Sequence, residues 1–213
     1  SGWVAGRVGG ALSFDGASQF VIVSDYTKPT TTEAITAWVW SDAAQASTII
    51  ANSGKPTDQG LRLSQFEFGL ATEGDLRGTI VAGPNAYIGR EGAEKALSTG
   101  EWHHVALVAD GARLTIYRDG AVVSTLDYAG RITDPTAPCI GIGGLLDNAL
   151  DPNDETDTLC SKVIEASPSL WTGKIDDLAL WTRPLGAGEV AAIYNLGKTG
   201  KSLVEVPDVQ PPV

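Results

Sequence analysis

Residues 100–123 read GEWHHVALVADGARLTIYRDGAVV, and the way this stretch folds decides the rest of the chain. Asp119-Gly120 lies between the runs ARLTIYR (112–118) and AVVSTL (121–126), each alternating apolar with polar or small residues. An Asp-Gly pair in that position fits a tight turn that needs positive φ, so the spacing predicts a β-hairpin. Immediately before it, EWHHVALVAD (101–110) is a further strand-length run rich in valine and aromatic residues.

The same texture extends in both directions. GALSFDG (10–16) and QFVIVSD (19–25) flank an Asp-Gly-Ala-Ser turn and read as a second hairpin. Residues 33–42, 47–54, 60–72, 78–83, 121–128, 138–144 and 173–183 continue the series, while GPNAYIGRE (83–91) reads as a loop. Only LGAGEVAAIYNLG (185–197) has a helical pattern, with Pro184 before it, Gly197 at its end and Val190, Ile193 and Tyr194 on one face. Such a helix is expected to cover a sheet edge or a cavity mouth. Many short strands without an intervening apolar helix predict an all-β fold of two packed antiparallel sheets.

Composition narrows the class. The chain has 213 residues, 43% of them hydrophobic, with 25 glycines and 11 prolines, enough for one core with many turns. Fifteen Lys and Arg against 26 Asp and Glu leave a formal net charge of -11, which argues against a phosphate-backbone partner. No apolar run approaches the ~20 residues that span a bilayer. The first residues, SGWVAGRVGG, lack a signal-peptide pattern, so a leader has been removed or the chain is a piece of a longer one. VEVPDVQPPV, with Pro207, Pro211 and Pro212, reads as a linker over 204–213, leaving residues 1–203 as the module.

Cys139 and Cys160 are the two cysteines, with 20 residues between them. In an exported protein they would pair and stabilise by roughly 3 kcal/mol; the alternative is two reduced, buried thiols. They flank LLDNALDPNDETDTLC (145–160), where Asp147, Asp151, Asp154, Glu155 and Asp157 crowd together.

GGALSFDGASQFVIV, then AITAWVW, then GEWHHVALVADGARLTIYRDGAVV, then GKIDDLALWTRPLGAGEVAAIYNLG follow one another in an order that resembles laminin G-like, concanavalin A-like jelly-roll domains. The resemblance spans about residues 8–198. It implies a two-sheet jelly-roll sandwich with one short C-terminal helix, often one structural calcium, and a non-catalytic binding or adhesion role in a secreted or cell-surface protein. Fold alone does not fix function.

The calcium implied by the resemblance maps onto Asp15 and Asp176, with backbone carbonyls around Ser18 and Gln19. A hard dication wants six to eight oxygens, which a tight turn and a second carboxylate from the closing strand would begin to supply. Asp15 alternatively caps its own turn through local amides. Asp177 faces the other side if its strand is regular. Residues 145–172 look like an insertion on which the resemblance is silent. Three readings stay open for it: a solvated acidic lid held by the cysteines, a ligand contact, or a second metal site built from Asp147, Asp151, Asn153, Asp154 and Asp157.

Sugar rings stack on aromatic faces while their hydroxyls bond planar polar groups. The resemblance places Trp38 and Trp102 in the core, with Trp181 and Tyr117 following them. Trp40, Tyr87 and Trp171 are then the candidate ligand contacts, each able instead to seal an end of the sandwich. An enzyme on this fold would need paired carboxylates on one strand, and none occurs; Glu91, Glu94 and Glu101 lie in a Gly- and Ala-rich stretch. His103 and His104 would need a carboxylate beside them to act as a base. The expectation is a binding module without chemistry of its own, recognising a polysaccharide or other glycan, with a protein-binding or spacer role as alternatives.

Overall fold

A computed structural model describes residues 2–24, 26–52, 65–132, 139–146, 163 and 169–203. In chain order its strands are β1 (Gly2–Ala5), β2 (Gly10–Asp15), β3 (Val21–Val23), β4 (Glu33–Ser41), β5 (Ser47–Asn52), β6 (Phe66–Leu70) and β7 (Leu76–Ala82). There follow β8 (Asn85–Arg90), β9 (Trp102–Ala109), β10 (Arg113–Arg118), β11 (Ala121–Asp127), β12 (Ile140–Ile142) and β13 (Thr172–Trp181), then the helix α1 (Ala187–Lys198). They form two antiparallel sheets, β1-β2-β13-β4-β9-β10-β11 and β3-β12-β5-β6-β7-β8. This is the expected all-β jelly-roll sandwich with one short helix.

The hairpin at 112–126 forms as predicted. Asp119 and Gly120 take φ of 51° and 78°, and Leu114↔Leu126 and Thr115↔Thr125 pair across the turn. The other expected hairpin does not form. β2 pairs with β1 and β13, whereas β3 pairs with β12 in the second sheet, so the Asp15 turn carries the chain from one layer to the other. Alternation cannot distinguish these outcomes, since a turn between layers also joins two half-buried strands. Residues 85–90, expected to be loop, are the edge strand β8, opposite β7.

The core lies between the sheets. Ile35, Ala37 and Val39 of β4 and Val105, Leu107 and Ala109 of β9 point into it, against Ile50, Phe66, Phe68, Leu76 and Ile80 of the facing sheet. Each strand thereby sends its intervening residues to the opposite side. On that outer side of the larger sheet, Ala34, Ala106, Val108 and Tyr117 form a second cluster with Leu185, Val190 and Ile193. The helix thus lies flat on a sheet face rather than at an edge. Its first turn is held by Glu189, whose carboxylate accepts the Gly186 N–H at 2.8 Å and pairs with Arg183.

Candidate functional site

The outer face is best followed along β4, where Trp38 and Trp40 are on the same side. Trp38 is opposite His104 on β9 and Asp176 on β13; Trp40 is opposite Trp102 and Lys174. The two rows end differently. Tyr194 of the helix stacks on Trp38 with centroids 5.7 Å apart, and the guanidinium of Arg7 lies 5.1 Å from the same ring. Gly197 permits this approach, because a Cβ there would collide with the Trp38 indole nitrogen. Trp38 is consequently 2% exposed. His104, edge-on to Trp38 at 5.4 Å, has both ring nitrogens buried without a hydrogen-bond partner among the described residues, and burial pushes its pKa down from 6.5 to about 4.

The helix does not reach the second row. Trp40 and Trp102 are half-buried, meeting edge to face with centroids 5.9 Å apart. The Lys174 ammonium lies 4.4 Å from the centre of the Trp40 ring and 5.9 Å from that of Trp102. The Trp40 indole N–H donates to the exposed Asp42 carboxylate at 2.9 Å. β10 pairs with β9 only as far as Arg118↔Val105, so among the described residues no strand stands beside Trp102 on that side. Two indoles, a cation and a carboxylate on a solvent-facing stretch of sheet can stack an apolar face and bond polar groups around it.

Of the expected contacts, only Trp40 belongs to this surface. Trp171 is completely buried in the main core, because the strand it introduces turns the ring inward. Tyr87 packs on Tyr128 at 5.7 Å and donates its hydroxyl to the Ala129 carbonyl, closing one end of the sandwich. Trp102, expected in the core, instead shares the open row, and Trp38 is buried beneath the helix rather than between the sheets. Strand periodicity carried this signal: residues 38 and 40 must share a face, and so must 102 and 104.

The expected calcium pair is not brought together. β2 and β13 are neighbours, but Asp15 is opposite Thr172, leaving Asp176 four positions further along, about 13 Å at the usual strand rise. Each carboxylate also has its own donors. Asp15 Oδ1 accepts the N–H groups of Ala17, Ser18 and Gln19, and Oδ2 accepts the Ser18 hydroxyl, so these residues present N–H groups rather than carbonyls to it. Those bonds hold the Asp15 carboxyl well below the usual carboxylate range. Asp176 is buried and accepts the Val8 N–H at 2.7 Å. This donor set does not fit a shared ion, and among the described residues no group of three or more His, Cys, Asp or Glu side chains could hold a metal. Asp177 does depart from its neighbour's face: φ is 46° at a bulge in β13, and its carboxylate accepts Ser202 Oγ and Leu203 N–H. Asp147, Asp151, Asn153, Asp154, Asp157 and Cys160 lie outside the described residues, as does the linker at 204–213.

His103 has the neighbours that the sequence could not reveal. Its Nδ1 is 2.8 Å from Asp119 Oδ2, and its Nε2 is 2.9 Å from Ser98 Oγ. The order Ser, His, Asp matches that of an acyl-transfer triad. Asp119 Oδ1 meanwhile accepts the His104 N–H, and this bond ties the β10–β11 turn to β9. The chain is thus part of how the deciding hairpin is clamped.

The comparisons with known proteins agree with this architecture. The domain is similar to the heptameric SAP-like pentraxin of Limulus polyphemus, at 17% identity over 85% of this chain and 80% of that one, TM-score 0.58. It is similar to domain 4 of AbnA, an extracellular arabinanase of Geobacillus stearothermophilus solved with arabinotriose, at 18% identity, 89% and 79% coverage, TM-score 0.61. It is also similar to the CBM40 of a Ruminococcus gnavus sialidase solved with α2,3-sialyllactose, at 15% identity, 86% and 97% coverage, TM-score 0.58. No curated protein matches the sequence. A profile of the laminin G-like group of the concanavalin A-like lectin/glucanases superfamily matches residues 15–191, and the chain belongs to that family.

Proposed function

We propose that this domain is a non-catalytic glycan-binding module carried by a larger secreted or cell-surface protein. The observation that carries the reading is the open row on the outer sheet face, where Trp40 and Trp102 stand with Lys174 and Asp42. The indoles take the apolar side of a sugar ring, and the two charged groups bond its substituents. Two relatives support it, since one was solved with arabinotriose and another with sialyllactose. Tethering then raises the local concentration of whatever the module is attached to, without high affinity at any one site. Affinity electrophoresis through polysaccharide gels tests this. Trp40→Ala and Trp102→Ala are expected to weaken retention by about tenfold or more. Unchanged retention in both variants removes the site.

Ser98 bears on the non-catalytic part. The serine is expected to remain unlabelled by a fluorophosphonate probe, and stoichiometric labelling at Ser98 would reverse that part of the reading. A protein-binding role is favoured by a separate surface, edge strand β1, on which Trp3 is 76% and Val4 38% exposed. A partner lost on Trp3→Ala but kept on Trp40→Ala would establish that alternative. The proposal includes a Cys139–Cys160 bond, consistent with the absence of a free cysteine among the described residues, and peptide mapping without reduction tests it. Calcium is proposed only away from the Asp15 and Asp176 pair, with the acidic run 147–157 as the stretch to substitute.

A further inference from the structure

The composition of the open row specifies its ligand further. The chain carries 26 acidic residues against 15 Lys and Arg, so a lysine on its surface would ordinarily find a carboxylate. Lys174 makes no ion pair among the described residues; it stands over two indoles. The carboxylates nearest along the strands are otherwise engaged. Asp176, two positions on, is buried and accepts the Val8 N–H, and Asp42 accepts the Trp40 indole N–H. The next row behaves the same way: Arg7 lies on Trp38 and Lys198 on Tyr194, at 5.1 Å in each case. In these two rows Lys174, Arg7 and Lys198 are held on rings, and none of the three makes an ion pair among the described residues, whereas Arg183, further along the same face on Trp181, is paired with Glu189.

A ring-bound ammonium keeps its outward N–H donors for a second, anionic partner. Ser13 is opposite Lys174 on β2 and shares its face, placing a hydroxyl on the side of Lys174 away from Trp40. Asp42, just past the end of β4 and holding the Trp40 indole N–H, repels an anion there. An incoming negative group is therefore directed to the Lys174 and Ser13 side, while the sugar carrying it lies along Trp40 and Trp102. On this basis, which rests on the glycan-binding reading above, we infer that the module is selective for acidic glycans, with Lys174 receiving a sugar carboxylate or sulfate. Because the protein as a whole is anionic, binding depends on this local charge and not on a general attraction to polyanions.

Matched probes test it: oligogalacturonides against their methyl esters, and dextran sulfate against dextran, titrated calorimetrically into the whole chain. The acidic member of a pair is expected to bind about tenfold more tightly at low salt, with the advantage shrinking as salt is added. Lys174→Gln is expected to remove the advantage, so that the acidic and neutral members of a pair bind alike, and Lys174→Arg to retain it. Unaltered melting temperatures would confirm that both variants fold. If both members bind equally, with Trp40→Ala abolishing both, acid selectivity is wrong and the glycan site stands. If no probe responds to Trp40→Ala or Trp102→Ala, the glycan reading fails and takes this inference with it. An acid preference that survives Lys174→Gln also overturns the assignment.

Discussion

Trp38 and Trp40 stand two positions apart on the same side of one strand, and the domain uses them for opposite ends. Trp38 is closed over by Tyr194, Gly197 and Arg7; Trp40 lies in the row that the helix leaves open. The strand sends both side chains to the same face. What separates a structural tryptophan from a ligand-binding one here is the reach of a twelve-residue helix. A residue's type and strand position thus set the face it occupies, and a distant element sets its role.

The comparison is most sharply tested by paired substitutions. Trp38→Ala is expected to cost about 3–5 kcal/mol of stability, because it empties a packed site. Trp40→Ala is expected to cost less than about 1 kcal/mol, the scale of a half-exposed ring and one cation–π contact, while losing the glycan. Equal losses in chemical denaturation would break the distinction between the rows.

The inner face of the same strand offers a control. Glu33 is fully buried there, neither of its oxygens has a partner among the described residues, and burial pushes its carboxyl up from 4.5 to about 8. The folded state therefore holds a proton that the unfolded chain releases above about pH 4.5. Stability contributed by this group is full below that pH and is lost as pH rises toward 8, by several kcal/mol in all. Glu33→Gln is expected to flatten the fall between pH 5 and 8; a slope identical to the parent's would show that Glu33 is solvated.

His104 works in the other direction. Its folded pKa of about 4 against an ordinary 6.5 means that the unfolded chain binds a proton which the folded chain refuses. Stability is complete above about pH 6.5 and declines as pH falls toward 4, by on the order of 3 kcal/mol. His104→Phe should remove that decline, and only in the covered row, since Trp102 contributes no titrating group. The smallest effect is expected at Asp15. Asp15→Ala should lower stability only slightly, through loss of its exposed turn bonds, and equally in calcium and in chelator. A calcium-dependent stabilisation that is abolished by both Asp15→Ala and Asp176→Ala would restore the shared site.

Much of the fold was legible because it is local. Asp119-Gly120 between alternating runs dictates its hairpin, and the period of two places Ile35, Ala37 and Val39 inside. What the sequence could not show depends on register and layer. Asp15 and Asp176 do fall on adjacent strands, yet a displacement of four residues separates them, and nothing in FDG or KIDD encodes that offset. β2 and β3 look like a hairpin to any local rule, although they belong to different sheets. The site was half legible: Trp40 was visible as an unexplained ring. Lys174 and Trp102 become its neighbours only through pairings between segments more than sixty residues apart.

Gly197 touches no ligand in this scheme, yet it governs how much aromatic track is available. A side chain at that position would push the helix from the Trp38 indole and uncover a second row of rings, with Arg7 beside it. Homologous chains bearing a larger residue there would be expected to accommodate longer oligosaccharides. Footprint on the polymer would then be set from the far side of the helix, leaving the contact residues themselves unchanged.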